Sequence, residues 1–262
     1  KAARKLNRDF GEVEHLQVSK KGPADFVSTA DTTAEKTIRA ELSKARPDYG
    51  FLLEEGGDIR GKDTSNRWIV DPLDGTTNFL HGIPHFSISI ALERDGEPFA
   101  GVIYQSVHDE MFWAEKGNGA HLNGRRIRVS ARHRLEESLF GTGIPFLGAP
   151  DHRLFLNQLE AVMAVSSGVR RLGSAALDLA YVAAGRLDGF WESGLHGWDM
   201  AAGIVLIREA GGFVSQIDGG RKMMESGDIL AANDQIHGPL GEILRAAASG
   251  QHQQTGCAPD AP

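Results

Sequence analysis

The sequence predicts an α/β protein in which an antiparallel sheet is followed by alternating strands and helices. Apolar residues alternate with small or polar ones over residues 86–92, which is typical of a strand with one buried face. Asp95-Gly96 and Gly117-Asn118-Gly119 are turn signals, so we expect hairpins in the first half. Over residues 138–248, short apolar runs alternate with longer helical patterns, which indicates an α/β arrangement in the second half.

The composition is that of an ordinary globular protein. Of the 262 residues, 41% are hydrophobic and 24% are charged, which is enough apolar material for a sizeable core. We expect a single domain over 1–262, with an α+β antiparallel half at about 1–145, an α/β half at about 146–248 and a frayed tail at 249–262. The net charge of −7 argues against a protein that binds nucleic acid over a broad surface.

Two further features concern the cellular location. Cys257 is the single cysteine, so an internal disulfide is excluded and a reducing cytoplasm is the expected compartment. The sequence has no apolar run approaching 18 residues and no signal-peptide pattern at its start, so we expect no membrane association. Because the sequence starts at Lys1 without a methionine, we expect that further residues precede it.

The first half begins with helices and continues as strands. Ala34, Ile38 and Leu42 share one helical face, and Pro47 stops that helix. Asp31 or Thr32 is the expected N-cap, and Thr32 with Glu35 has capping-box spacing. Residues 61–66 read as a polar loop. The predicted elements are helices over 1–16 and about 31–46, and strands over 49–53, 68–70, 86–92, 98–107, 110–115 and 127–130.

The second half alternates strands and helices. Gly173-Ser174 opens one helix, and Trp198-Asp199 opens another that is apolar nearly all round and is therefore expected to be deeply buried. Pro239 is expected near position N1 of the last helix. The predicted helices are 153–165, 173–184, 198–210 and 238–248, and the predicted strands are 138–144, 169–172, 187–191, 213–217 and 229–233.

The most informative motif is Asp71-Pro72-Leu73-Asp74-Gly75-Thr76-Thr77-Asn78, which follows a short apolar run. Pro72 fixes its own φ and Gly75 permits a conformation that other residues resist, so the chain can turn and bring both carboxylates together. Two close, unpaired carboxylates normally need a cation, and their hard oxygen atoms suit Mg²⁺ or Mn²⁺. Thr76, Thr77 and a helix N-terminus are suited to an anion. The motif therefore suggests phosphate chemistry.

Other acidic residues could join this site or have ordinary structural roles. Asp31 and Asp199 are each placed where a helix cap is the simpler interpretation. Glu54 and Glu192 each follow a predicted strand, where a solvated surface position is the simpler interpretation. Lys20-Lys21 in a Gly/Pro-containing stretch is either solvated or part of a mobile loop that closes over a phosphate.

Four motifs together resemble the inositol monophosphatase family. Residues 68–79 resemble its first signature, residues 197–203 followed by 209–212 resemble its second, and residues 51–55 and 25–31 match two further segments. The likeness extends from about Phe10 to Leu244, and residues 170–180 look most like the bacterial extragenic-suppressor type. Leu53 is a departure, since many members have a smaller residue before the acid pair. The resemblance implies a layered α-β-α-β-α sandwich of the inositol monophosphatase and fructose-1,6-bisphosphatase type.

The resemblance also implies a role for each site residue. Asp31, Thr76 and Glu54 would be catalytic, with Thr76 and Asp31 orienting and deprotonating the attacking water. Metal ions, two or three Mg²⁺ per site, would be held by Glu54, Asp71, the Leu73 carbonyl, Asp74 and Asp199. Lys20 would lie on the mobile loop. The substrate would be contacted by Gly75, Thr76, Thr77, Glu192 and Asp199.

These roles predict an enzyme, a Mg²⁺-dependent phosphomonoesterase that hydrolyses inositol 1-phosphate by means of a metal-activated water. No Ser, Cys or His stands out as an activated nucleophile, and His81, His85 and His196 read as packing or surface residues. The family resemblance further implies inhibition by Li⁺ and a homodimer. Glu192 favours a neutral polyol over a second phosphate, because a carboxylate repels a phosphate group.

Three alternatives remain open at this point. The substrate could be histidinol phosphate, fructose 1,6-bisphosphate or phosphoadenosine phosphate. The suppressor-type relatives are linked to RNA polymerase and ribosomal-RNA transcription, so the chain could be a binding module. The arginine-rich segment 125–134 is the one feature that we can assign to that role, although a solvated edge is its simpler interpretation. The third alternative is a metal-binding structural domain without catalysis.

Overall fold

The computed structural model describes residues 1–12, 18–22, 25–145 and 151–249, and it describes no side chains for 18–22 and 25–27. Its helices are α1 Ala2–Phe10, α2 Thr29–Ala45, α3 Thr76–Leu80, α4 His152–Met163, α5 Ala175–Ala183, α6 Gly197–Glu209, α7 Met223–Ser226 and α8 Asp234–Ala248. None of the helices in these ranges combines the length and the apolar character that a membrane crossing requires.

The strands are β1 Val18–Gly22, β2 Asp25–Ser28, β3 Tyr49–Leu53, β4 Gly57–Ile59, β5 Asp63–Asp74, β6 Ser87–Arg94, β7 Glu97–Gln105, β8 Glu110–Glu115, β9 Gly119–Leu122, β10 Arg125–Ile127, β11 Leu139–Thr142, β12 Gly168–Arg170, β13 Gly189–Glu192, β14 Phe213–Ser215 and β15 Ile229–Ala232. A 3₁₀ turn spans Leu135–Glu137. Apart from the small β1–β2 pair, these strands form one sheet of eight and one of five.

The eight-stranded sheet has the order β10-β9-β8-β7-β6-β5-β3-β4. Its neighbouring strands run antiparallel, as the alternation predicts, except that β3 and β5 are parallel. A parallel pair aligns the carboxyl ends of its two strands at one edge. Glu54, which directly follows β3, is therefore brought to the end of β5, and this edge of the sheet carries the acidic motif.

The layers alternate as the sequence predicts. Helices α1 and α2 cover one face of the eight-stranded sheet, and α5 and α6 fill the space between the two sheets. The five-stranded sheet, ordered β12-β11-β13-β15-β14, is covered on its far side by α4 and α8. This is an α-β-α-β-α sandwich, which confirms the predicted fold class.

Helix α6 is the centre of the molecule. Residues 200–207 are all buried, so α6 is apolar on every side, as expected. A Cβ atom on Gly203 would lie 2.5 Å from Leu179 Cδ1, and one on Gly101 would lie 2.7 Å from Ala202 Cα. Glycine at these two positions therefore lets α6 approach both α5 and the eight-stranded sheet closely, which fixes the position of its N-terminus.

Several local predictions are wrong. The N-cap of α2 is Ser28, not Asp31 or Thr32, because the Ser28 side chain accepts a hydrogen bond from the Ala30 N–H while Asp31 accepts from the Ser28 N–H. Helix α8 begins at Asp234, capped by Asn233, so Pro239 lies inside the helix. The 61–66 stretch is not all loop, since β5 begins at Asp63.

Other predictions differ in extent or lie outside the described ranges. The strand predicted at 127–130 is instead β10 at Arg125–Ile127. The first helix ends at Phe10, and residues 13–16 of its predicted span are not described. The predicted tail is outside the described residues except for Ser249, and the same holds for Cys257 and for the Lys20 side chain.

Candidate active site

The end of β5 is a bulge built around Pro72. Asp71 pairs with Ser89 and Asp74 with Ser87, so four residues on β5 lie opposite three on β6. Pro72 has no N–H to contribute to the ladder, which suits it to the bulge. The Leu73 N–H donates a hydrogen bond of 2.8 Å to Asp71 Oδ1 and so holds this carboxylate in place. The bulge changes the direction of the chain, so that the carboxylates of Asp71 and Asp74 point toward the same small space.

Asp199 completes a cluster of three carboxylates that we call the acid triad. One ligand atom each from Asp71, Asp74 and Asp199 can be chosen so that all lie within 4.8 Å of one another. Asp199 occupies position N3 of α6 and accepts a hydrogen bond of 2.7 Å from the N–H of the N-cap, His196. The expectation that Asp199 itself is the N-cap is therefore wrong. Its position in the first turn nevertheless directs its carboxylate at the end of β5.

Burial and mutual repulsion both disfavour the charged forms of Asp71 and Asp74. Asp71 is 2% exposed, and burial followed by the charges of Glu54, Asp74 and Asp199 raises its pKa well above the usual value of 3.8. Burial and the charge of Asp199 raise the pKa of Asp74 to about 7. Carboxylates that destabilise one another in this way require a compensating positive charge.

The N-terminus of α5 gives Asp74 its protein partners. The Ser174 hydroxyl and the Ala176 N–H, at 2.8 Å, both donate to Asp74 Oδ2, and these contacts lower its pKa against the effect of burial. The sequence correctly places a helix start at Gly173-Ser174. The contact to Asp74 was not predicted, because the two residues are 100 positions apart and meet only through the packing of α5 on the sheet.

Glu54 lies beside the triad, next to Asp71. Its N–H donates to the Val70 carbonyl at 3.2 Å, which continues the parallel pairing of β3 with β5. A side-chain hydrogen bond joins the Glu54 and Asp71 carboxyl groups, and it contributes to the raised pKa of Asp71. Leu53 is buried in the core and leaves the acid in place. Glu54 is therefore not a solvated surface residue.

Asp31 and Thr76 form a hydrogen-bonded pair. Thr76 Oγ1 lies 3.0 Å from Asp31 Oδ1 and 3.0 Å from the Leu73 carbonyl oxygen, so its single proton is shared between two acceptors. Asp31 is fully buried, and its other oxygen accepts from the Ser28 N–H and hydroxyl at 2.9 and 2.5 Å. Burial raises the pKa of Asp31, while the Ser28 and Thr76 contacts oppose that rise.

Gly75 starts the short helix α3 beside the triad. Its φ of 93° lies in the left-handed region, which favours glycine. A Cβ atom there would also lie 3.1 Å from the His85 carbonyl oxygen. The Thr76 N–H is among the first in α3 and so has no intrahelical acceptor. Thr77 is exposed and its side chain contributes nothing to the described cluster.

A cavity of about 150 Å³ opens beside the triad. Its lining includes Asp74 and Asp199 of the triad together with Glu192, Arg171 and Asp178. Burial, followed by the charges of Asp199 and Asp74, raises the pKa of Glu192 to about 8, and Arg171 opposes that rise. Glu192 thus lines a polar cavity.

Two cavity residues, Arg171 and Asp178, were not predicted as site residues. Asp178 has a sequence signal in retrospect, because it is the single charge in the otherwise apolar run 175–180. The lack of a side chain at Gly143 makes room for Glu192, since a Cβ atom there would lie 1.8 Å from Glu192 Oε1.

A larger cavity of about 420 Å³ lies on the other side of segment 195–198. Leu195 lines both cavities, but the larger one is formed by Arg67, Glu93 and Trp198 among others and contains no member of the acid triad. We assign the site to the smaller cavity, because Asp74 and Asp199 of the triad line it and no triad member lines the larger one.

The remaining candidates do not belong to the acid triad, although His196 Nδ1 lies 3.7 Å from Asp199 Oδ2. His81 and His196 are exposed, and His85 is partly buried. The arginine-rich segment is solvent-exposed at Arg125, Arg126, Arg128, Arg132 and Arg134. Arg132 pairs with Asp188 and Arg134 with Glu136, whereas the other three form no ion pair within the described part of the chain.

The donor set fits a divalent metal ion. Three carboxylates converge within 4.8 Å, a fourth, Glu54, adjoins them, and the Leu73 carbonyl oxygen lies at the same bulge. All of these donors are oxygen atoms, which Mg²⁺ prefers, and no described sulfur or imidazole ligand joins the group. The acid triad could therefore hold Mg²⁺, and the repulsion described above is what such an ion would relieve.

Comparison with known proteins gives a consistent result. The model of the inositol monophosphatase family matches residues 1–252. An inositol-1-monophosphatase of Mesorhizobium japonicum is 60% identical over 249 residues, which cover 95% of this chain and 94% of that protein. The Nus factor SuhB of Pseudomonas aeruginosa is 47% identical over 230 residues, which cover 86% of this chain and 85% of that protein.

Solved structures agree with this similarity. The extragenic suppressor protein SuhB of Bartonella henselae superimposes with a TM-score of 0.91 at 59% identity, covering 93% of this chain and 94% of that one. An inositol monophosphatase of Thermotoga maritima has a TM-score of 0.86 at 35% identity, covering 95% of this chain and 94% of that one. The resemblance to the suppressor type predicted from residues 170–180 is thereby confirmed.

Proposed function

Because this chain belongs to the inositol monophosphatase family, a family of phosphatases, we propose that it hydrolyses inositol 1-phosphate to inositol and phosphate in a Mg²⁺-dependent reaction. The observation that carries the proposal is the acid triad, in which Asp71 and Asp74 are buried, and whose carboxylates repel one another and converge beside a small polar cavity. The name of the Mesorhizobium relative, at 60% identity, supports the choice of substrate.

Each residue near the triad has a part in the proposed reaction. Glu54, Asp71, the Leu73 carbonyl, Asp74 and Asp199 would hold two or three Mg²⁺ ions. When bound, these ions would supply Lewis acidity toward the phosphoryl oxygens and make a water a better nucleophile. The N–H groups of Gly75 and Thr76 would donate to the phosphate, with Thr77 at the exposed rim.

The Thr76–Asp31 pair is suited to handling the proton of the attacking water. With its hydroxyl proton directed at Asp31 or at the Leu73 carbonyl, Thr76 Oγ1 presents a lone pair outward, and this lone pair can orient a water. Asp31 provides a buried carboxylate at 3.0 Å that can take up the proton passed through Thr76. Glu192 and Asp199 would accept hydrogen bonds from hydroxyls of the alcohol part of the substrate.

A substrate panel tests the proposal. Phosphate release with Mg²⁺ is measured for inositol 1-phosphate, histidinol phosphate, fructose 1,6-bisphosphate and phosphoadenosine phosphate. We expect the highest kcat/KM for inositol 1-phosphate, since Glu192 disfavours a second phosphate, and inhibition by Li⁺. A higher value for any of the other three would replace the proposed substrate, and full activity at high Li⁺ would contradict the proposed metal chemistry.

A second candidate function is a role in transcription. It is favoured by the Pseudomonas relative named a Nus factor, and by the exposed Arg125, Arg126 and Arg128, which form no ion pair within the described residues. We expect that RNA polymerase co-purifies with the chain, that Asp74→Asn preserves this association, and that changing the three arginines to glutamate abolishes it. A homodimer and a cytoplasmic location stay predictions, which size measurement in solution and cell fractionation would test.

A further inference from the structure

Asp178 is a buried acid that the proposed reaction does not yet use. It lies on α5, it is 1% exposed, and its Oδ1 atom is buried without a hydrogen-bond partner in the described part of the structure. Asp178 is among the residues that line the 150 Å³ cavity, and Glu192 lines it too. A buried carboxylate oxygen without a partner is unfavourable for folding, so its retention requires another explanation.

The basic groups near Asp178 do not compensate it. His85 Nε2 is 3.9 Å from Asp178 Oδ1, which is beyond hydrogen-bond distance, and burial lowers the pKa of His85 to about 4. The imidazole is therefore neutral at physiological pH and gives no ion pair. Arg171 opposes the effect of burial only weakly, since the pKa of Asp178 remains well above its usual value.

The position of Asp178 on α5 relates it to the acid triad. Ser174, whose hydroxyl donates to Asp74, precedes Asp178 by four residues and so lies one helical turn away on the same face. One turn is about 5.4 Å, which is close to the width of a six-membered ring. A ring alcohol whose phosphate lies at the triad would therefore bring its far hydroxyls toward Asp178 and Glu192.

We propose that Asp178 is a specificity-determining residue whose carboxyl group accepts a hydrogen bond from a hydroxyl group on the alcohol part of the substrate. This inference rests on the proposed phosphatase function and deepens it. It assigns the far wall of the cavity to a small cyclic polyol, and the volume of about 150 Å³ suits a single ring rather than a nucleotide. Asp178 accepts this hydrogen bond beside Glu192, and neither residue takes part in the proton transfer.

The test compares two substrates that differ only in ring hydroxyls, inositol 1-phosphate and cyclohexyl phosphate, both with Mg²⁺. Asp178→Leu removes the acceptor but keeps the branching of the side chain at Cγ, and Asp178→Asn keeps one carbonyl acceptor. For the leucine variant we expect kcat/KM on inositol 1-phosphate to fall about 10- to 100-fold, mainly through KM, with cyclohexyl phosphate changed less than about twofold. The asparagine variant should be intermediate.

Asp188→Asn is the matched control. Asp188 is also 1% exposed, but it accepts from Arg132 at 3.2 Å and from the Leu139 N–H at 2.7 Å, and it does not line the cavity. We expect this variant to lose thermal stability while the ratio of the two kcat/KM values stays as in the wild type. Asp178→Leu should keep or raise the melting temperature, because it removes an uncompensated buried carboxylate.

Three results would overturn the inference. Equal losses on both substrates would indicate a purely structural role for Asp178, and an unchanged rate on inositol 1-phosphate would show that it contacts no hydroxyl. A loss confined to histidinol phosphate would indicate that Asp178 binds an ammonium group instead. If the wild-type protein hydrolyses neither ring phosphate with Mg²⁺, the proposed function itself fails, and this outcome is visible before any variant is made.

Discussion

Asp71 of the acid triad and Asp188 are buried to nearly the same extent, but their surroundings differ. Asp188, 1% exposed, forms an ion pair with Arg132 and accepts a hydrogen bond from the Leu139 N–H, so its charge is matched within the protein. Asp71, 2% exposed, accepts one backbone N–H and otherwise faces Glu54, Asp74 and Asp199. A matched buried acid stabilises the fold, whereas mutually repelling acids are tolerated where a bound cation completes them.

The largest expected effect is on catalysis when the triad is broken. Asp74→Asn should reduce phosphate release from inositol 1-phosphate on the order of 10⁴-fold at saturating Mg²⁺, because it removes a central metal ligand. Steady-state assays with Mg²⁺ from micromolar to tens of millimolar would measure this. Asp188→Asn serves as the control and should leave turnover per folded molecule unchanged. Near-normal turnover in Asp74→Asn would mean that the triad is not a metal site.

The second prediction concerns the pH dependence of stability without metal. Because the folded-state pKa of Asp74 is about 7 and its ordinary value is 3.8, its stabilising effect is present below about pH 4 and is lost as the pH rises through 7. The free energy of unfolding of chelator-treated protein should therefore fall by about 4 kcal/mol from pH 4 to pH 8 on account of this group.

Denaturant unfolding of the wild-type protein and of Asp74→Asn across this pH range isolates the contribution of Asp74 to the free energy of unfolding. The contributions of groups elsewhere in the chain cancel when the two proteins are subtracted. Millimolar Mg²⁺ should remove most of the loss in the wild type. A pH dependence that is identical in the two proteins would show that Asp74 is not held at a raised pKa.

The third prediction separates catalysis from metal binding. Asp31→Asn and Thr76→Ala should each reduce kcat by about 100- to 1,000-fold, because the pair handles the proton of the attacking water. Both variants should still bind Mg²⁺, as measured by calorimetry. Thr33→Ala, which removes an exposed hydroxyl bonded to the Thr29 carbonyl on the same helix, is the matched control. Full turnover in either site variant would favour a metal-binding domain without catalysis.

The smallest expected effect concerns Asp188, the buried acid whose charge is matched within the protein. Asp188→Ala should lower the free energy of unfolding by about 3 kcal/mol, since it leaves the Leu139 N–H without its acceptor and breaks the contact with Arg132. The loss should not depend on Mg²⁺. If Mg²⁺ restored the stability of this variant, the distinction between matched acids and cation-dependent acids would fail.

The sequence predicted the parts of the site that depend on local geometry. The proximity of the Asp71 and Asp74 carboxylates could be predicted, because Pro72 between them and Gly75 after them favour a turn of the chain. The antiparallel first half and the alternating second half followed from hairpin signals and from the strand–helix alternation, whereas the layered sandwich was implied by the family resemblance. The site roles, and the division of the chain into halves, stay predictions.

The parts that depend on long-range packing could not be predicted. The Ser174–Asp74 contact and the position of Asp178 arise from the docking of α5 on the sheet. Ser28 was missed as the cap of α2, because several polar residues near Asp31 have the same local preference and only the packed backbone selects one. Pro239 was placed at a helix start by preference alone, whereas Asn233 caps α8 earlier.

The central claim is that the triad needs a divalent cation in order to act. The most direct test is the rate of phosphate release from inositol 1-phosphate as Mg²⁺ is returned to chelator-treated protein. We predict no turnover above background without Mg²⁺, and recovery that saturates as the ion is restored. An unchanged rate in the presence of excess chelator would contradict the claim.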